Sequence, residues 1–217
     1  MILKLILALG PIGLILILSE ILWRKKLIKG ERARKFIHVL AGSWMAFWPF
    51  YLPFDGIFIL GCAALTLLIY SRITTLFHAI YAVKRKGYGD IIYAVSIIIC
   101  ALLAKEDWVF TIAILLLALA DGAAAVVGRL WAKKNYYVFN KQSLKKSYLG
   151  TLAFIVFSYL AVSVGYFVGG SDVIKDNPVL FFVYVPFIAT LLENITPAGI
   201  DNLTIPVVVT LIISTSI

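Results

Sequence analysis

The residues able to do chemistry fall into four short constellations, each at the edge of an apolar stretch. The first is Arg34-Lys35-Phe36-Ile37-His38-Val39-Leu40-Ala41-Gly42. Lys35 and His38 stand three apart, so on a helix they face the same way. They read either as a phosphate-contacting cation beside a proton-transferring imidazole, or as a charge stop followed by an interfacial His. The second runs from Ala120-Asp121-Gly122 to Gly128-Arg129 and sets a carboxylate inside a strongly apolar segment. An ionised group at that depth is costly and marks function or pairing. Asp121, Ala125 and Gly128 follow i, i+4, i+7, so the face bearing the carboxylate has little bulk. Such a face, with Gly122 next to it, suits close helix packing or a nucleotide lying near the backbone.

The third is Lys141-Gln142-Ser143-Leu144-Lys145-Lys146-Ser147-Tyr148-Leu149-Gly150-Thr151. Ser147 is a natural N-cap, and a helix start offers free N–H groups and a positive dipole end to an anion. Lys145 and Lys146 add charge, and Gly150 permits close approach. The plainer reading is a basic loop ahead of a capped helix. The fourth, Glu193-Asn194 through Pro197 and Gly199 to Asp201-Asn202, brackets a tight turn with two carboxylates and two amides. Oxygen-rich sets of this kind suit Mg²⁺; alternatively Asp201 simply caps the last helix. Asp90 and Tyr93 are weaker additions on the same side.

If folding brings the four together, carboxylates hold Mg²⁺ while lysines and a helix start hold phosphates. Phosphoryl transfer at an interface needs that combination, because positioning and charge neutralisation do most of its catalysis.

The elements that must position these groups are apolar. The chain has 217 residues, of which 62% are hydrophobic and 14% charged, with a mean hydropathy of +1.00. Soluble domains carry roughly 25% charged residues, so the composition predicts an all-α polytopic transmembrane bundle forming one domain. Eight spans are expected: 2–23, 36–54, 56–71, 90–104, 108–128, 149–170, 178–192 and 202–217. The spans 90–104 and 178–192 are short for a crossing, and Pro186 is placed to kink the latter. The segment 72–86 has the spacing of an amphipathic helix lying on the membrane surface. No small-x-small cleavage pattern precedes Trp23-Arg24, so the first apolar run reads as a retained helix. Cys62 and Cys100 lie in apolar stretches without metal-ligand company.

Seventeen of the twenty Lys and Arg residues fall in the gaps 24–35, 72–89 and 129–147. By the positive-inside rule these gaps are cytoplasmic and the N-terminus is outside. Eight crossings then put the loop 193–201 on the cytoplasmic side and the C-terminus outside. The net charge of +9 is accounted for by topology, and no nucleic-acid motif is present.

In order and spacing, RKxxHxxxG (34–42), ADGxAxxxGR (120–129), KKSxxGT (145–151) and ExxxxxxxDNLTxP (193–206) resemble the CTP-dependent polyprenol kinase family. That family includes dolichol, phytol and farnesol kinases and a CTP-using diacylglycerol kinase, and is distantly similar to the phosphatidate cytidylyltransferases. The resemblance implies a kinase-like core over 31–217, with 1–30 as a preceding helix and basic loop. It implies CTP as donor, Mg²⁺ as cofactor and a membrane lipid alcohol as acceptor, in a compact protein of bacterial or plastid type, here expected in a prokaryotic inner membrane. Asp121, Glu193 and Asp201 are the implied metal ligands. Lys35, Gly122, Gly128, Lys145, Lys146, Ser147, Gly150 and Asn202 are the implied nucleotide contacts. His38, Glu193 or Asp201 could take the hydroxyl proton. The rival readings are a cytidylyltransferase that makes a CDP-lipid, and a transporter or scaffold. A transporter would carry its polar residues near mid-bilayer, whereas these sit at one end of the spans.

Overall fold

The computed structural model describes residues 2–74, 88–131, 133–141, 144–197 and 199–217. Most of the expected surface helix 72–86 lies outside the described residues. Among them the chain forms a bundle of eight helices: α1 (Ile2–Arg24), α2 (Glu31–Met45), α3 (Phe54–Thr74), α4 (Gly89–Leu103), α5 (Asp107–Leu130), α6 (Tyr148–Asp176), α7 (Leu180–Ile195) and α8 (Asp201–Ser216). Of these, α1, α3, α5 and α6 are long and apolar enough to cross a membrane, and α4, α7 and α8 are shorter apolar helices. The protein is a polytopic, all-helical membrane bundle.

The central helix is α5. Its most apolar stretch is 78% buried, against 11% for α1 and 17% for α3. The cause is its composition: a helix that is apolar on every side can be surrounded by neighbours on every side. Val109, Phe110, Ile112, Ile114, Leu116 and Leu117 are all fully enclosed. By contrast α1 turns Ile2, Leu14 and Ile17 outward, as a helix facing lipid tails does. Water does not drive helices together in such a setting, so close contact depends on small residues. Gly165 of α6 sits directly on Ile112 of α5, and Gly61 of α3 on Ile98 of α4.

Three expectations need correction. The span 36–54 is not one helix: α2 begins earlier, at Glu31, and ends at Met45, after which a 3₁₀ turn covers Trp48–Phe50. Pro49 explains the break, since it lacks an N–H and disfavours helix in the residue before it. The expected loop 171–177 is largely helical, because α6 continues to Asp176 through a π-turn at Tyr166–Gly170 and a break at Gly169, whose φ is 147°. The third is the region between α5 and α6, where β1 (Asn135–Tyr137) and β2 (Lys145–Ser147) pair antiparallel, Tyr137 opposite Lys145 and Asn135 opposite Ser147. In α7 a π-turn at Leu180–Tyr184 comes just before Pro186, where the proline's missing N–H loosens the helical ladder.

The α5–α6 contact gives a direct test. Gly165→Val should destabilise the bundle by about 1–3 kcal/mol through overpacking on Ile112, read as a lowered Tm in detergent.

Candidate active site

The carboxylate-, lysine- and amide-bearing ends of the elements converge at one end of the bundle. From α2 come Lys35 and His38, one turn apart; from α5 comes Asp121. Lys35 Nζ donates to Asp121 Oδ2, and His38 Nε2 lies 3.2 Å from the same oxygen. His38 Nε2 is also 2.9 Å from the Leu117 carbonyl oxygen. A carbonyl only accepts, so Nε2 carries the proton, and in the neutral ring Nδ1 is left as the acceptor. Leu117 lies in a π-turn, Leu116–Ala120, after which the Asp121 N–H bonds five residues back to Leu116. The wider turn loosens the usual carbonyl pairing and presents Leu117 to a side chain; π-bulges often occur at functional sites. Lys35, His38 and Asp121 are each no more than 9% exposed, so each charge depends on its partner.

The β-ribbon and α7 supply the second group. Lys146 Nζ donates to Glu193 Oε1 at 2.7 Å, while Glu193 Oε2 is buried with no hydrogen-bond partner among the described residues. Next to Glu193, Asn194 Oδ1 accepts from Tyr136 Oη, which lies 2.6 Å from Thr151 Oγ1. This fastens β1 to α6 and α7. Asp201, at the start of α8, accepts through Oδ1 from Gly199 N at 2.7 Å and Asn202 N at 3.0 Å. Asn202 Nδ2 reaches the Gly89 carbonyl at 2.8 Å and so ties α8 to the start of α4. Electrostatic interaction links the groups: Asp121 and Lys35 act on both Glu193 and Asp201, and Lys146 acts on Asp201. Two ion pairs, Lys35–Asp121 and Lys146–Glu193, and the carboxylate of Asp201 therefore lie within electrostatic range of one another. Among the described residues, no group of three or more Asp, Glu, His or Cys is placed to hold a metal ion by itself.

Other sequence-derived candidates are placed differently. Successive residues of a strand point to opposite faces, and β2 separates its two lysines. Lys146 faces Glu193, whereas Lys145 is exposed with its Nζ 6.0 Å from the centre of the Tyr137 ring. The small face of α5 is filled by protein. A Cβ on Gly128 would stand 2.6 Å from Ser147 Oγ and 3.5 Å from Gly150 Cα. A Cβ on Gly150 would stand 3.0 Å from the Ala124 carbonyl oxygen. Gly122 lies directly against Val39. These glycines let α5 approach α2 and α6. Ser147 does cap α6, accepting from Gly150 N at 3.1 Å, which occupies one of the N–H groups a phosphate could have used. Sequence reasoning missed Tyr136 and the Leu117 carbonyl. Tyr136 looked like any residue of a basic loop, and a π-turn inside an apolar run leaves no compositional trace.

The Lys35–Asp121 pair predicts a non-additive cycle. Lys35→Met, which strands a buried carboxylate, should cost about 3–5 kcal/mol. Lys35→Met with Asp121→Asn should recover part of that, measured as Tm of the purified variants.

No family model matches the chain, and no solved structure does. A curated relative, the phytol kinase of Synechocystis sp., is 30% identical over 206 residues, covering 90% of this chain and 83% of the relative. With nearly the whole of the chain aligned at this identity, the chain belongs to the polyprenol and phytol kinase family.

Proposed function

We propose that the protein is a CTP-dependent lipid kinase that moves the γ-phosphoryl group of CTP to the hydroxyl of a long-chain isoprenoid alcohol. The site is assigned to the cytoplasmic face of a prokaryotic inner membrane, from the asymmetry of the basic loops. The observation that carries this reading is the gathering of two buried ion pairs, Lys35–Asp121 and Lys146–Glu193, with Asp201 in electrostatic range at one end of an apolar bundle. Phosphoryl transfer requires little covalent chemistry from the protein and much fixed charge. The phytol kinase relative supports a prenol acceptor over diacylglycerol.

In the reaction the lipid oxygen forms a bond to the γ-phosphorus, the bond from that phosphorus to the β,γ-bridging oxygen breaks, and CDP leaves. Lys146 and Lys35 neutralise phosphate charge. Asp121 holds Lys35 and, with Leu117, fixes His38 as the tautomer whose Nδ1 accepts a proton; to that atom we assign the hydroxyl proton. Glu193 fits a divalent cation, because its Oε2 is buried and unpartnered while Oε1 is held by Lys146. Asp201 is the second carboxylate suited to that role. Mg²⁺ usually takes one or two protein carboxylates and completes its shell with water and substrate phosphates. When bound there, Mg²⁺ would neutralise charge on the transferred group and on the leaving oxygen.

Product analysis with labelled CTP and phytol tests the reading. Lipid phosphate and CDP are expected; pyrophosphate with a CDP-lipid would replace it with a cytidylyltransferase. The two lysines of β2 should separate as well. Lys146→Ala should lower kcat/KM for CTP by about a hundredfold, as loss of a fixed charge in a dry site does, while Lys145→Ala changes it by less than about threefold, in keeping with an exposed charge.

A further inference from the structure

A cavity of about 340 Å³ lies between α1, α2, α3 and α4, next to the charged network. Its walls are almost wholly apolar, with Leu9 and Leu16 from α1, Ile37 from α2, Leu67 from α3, Ile97 from α4, and Trp48. Leu9 and Leu67 are also 48% and 49% exposed, so the cavity is a cleft open sideways on the lipid-facing surface. Besides Trp48, whose buried indole Nε1 has no hydrogen-bond partner among the described residues, its polar lining is Arg34, His38, Ser71, Asp90 and Tyr93.

Three of these carry an unmet requirement. Ser71 Oγ, Asp90 Oδ2 and Tyr93 Oη are buried with no hydrogen-bond partner among the described residues. Ser71 and Tyr93 are 1% and 8% exposed. Buried polar groups are nearly always bonded, and an exception calls for an explanation. Two of the three are hydroxyls, Tyr93 Oη lying against Gly42, and the third is an oxygen of a carboxylate whose other oxygen is 3.7 Å from Arg72; an alcohol group, which both donates and accepts, suits groups of either kind. The Tyr93 ring packs edge-on against His38 with centroids 4.5 Å apart, which sets this polar end beside the imidazole.

We propose that the cleft holds the hydrocarbon chain of the acceptor alcohol, entering from the bilayer, with its hydroxyl among Ser71, Asp90 and Tyr93 and beside His38. This rests on the kinase reading above and deepens it. The occupant is one unbranched or methyl-branched chain, because the volume is near the lower end for ligand pockets, which run from about 300 to 1,000 Å³. Ser71, Asp90 and Tyr93 position the hydroxyl.

Ala64, on the open side of α3, lines the cleft and is exposed, so a large residue there fills the cleft without entering the core. Ala64→Trp is expected to raise KM for phytol about tenfold, as overpacking of a site does, with KM for CTP unchanged and a smaller effect on farnesol. A farnesol analogue bearing a diazirine on its terminal isoprene unit, photolysed in the full-length protein in nanodiscs, is expected to label α1, α2, α3 or α4 along the cleft. Unchanged phytol kinetics in Ala64→Trp, labels confined to other helices, or dioleoylglycerol phosphorylated as well as phytol would each overturn the proposal. If wild-type protein phosphorylates no alcohol, the kinase reading fails, and the position of the label still decides whether the cleft binds an isoprenoid chain.

Discussion

The charged end of this bundle depends on one buried ion pair, Lys35 with Asp121. A lone carboxylate two-thirds of the way along the most enclosed helix would be strongly disfavoured in an apolar setting. Pairing it with a lysine from α2 makes the charge tolerable and joins the two helices at a fixed height. That pairing in turn sets where His38 lies, because the imidazole shares the same carboxylate oxygen. The second pair, Lys146 with Glu193, plays the same part for α7 and the β-ribbon. Retained buried charge is weak evidence for stability in itself. Its concentration at one end, with an unpartnered oxygen on Glu193, is what gives it chemical meaning.

Much of this was readable from residue types. The apolar runs gave the crossings because a helix in lipid must satisfy its own backbone and display apolar side chains; seven of the eight expected spans coincide with single helices to within a few residues, although α6 runs on past its expected end. The spacing of Lys35 and His38 correctly placed them on one face, and Ser147 does cap α6. What residue types could not convey was the use of the space between elements. Asp121, Ala125 and Gly128 form a small face by helical periodicity alone. Whether a nucleotide or another helix fills it depends on the path of α6, and the structure brings Gly150 there.

The same distinction explains the two lysines of β2. In a loop, Lys145 and Lys146 are interchangeable positive charges. Once the segment is a strand, its two-residue period sends one to Glu193 and the other to the Tyr137 ring. Three residues paired with Asn135–Tyr137 are too short a strand to announce themselves against a basic, aromatic background. The end of α2 at Met45 has a plainer origin: Pro49 breaks the helix, while hydrophobic Phe47-Trp48 and Phe50-Tyr51 carry the apolar run on through it.

The outermost helix is sparsely packed, and it forms one wall of the apolar cleft. Among the described elements α1 rests mainly on α2, with Trp44 Nε1 holding the Leu7 carbonyl at 3.1 Å. Because α1 meets its neighbours mainly through α2, the wall of the cleft that carries Leu9, Ile12 and Leu16 is its least supported side, next to the lipid-facing surface.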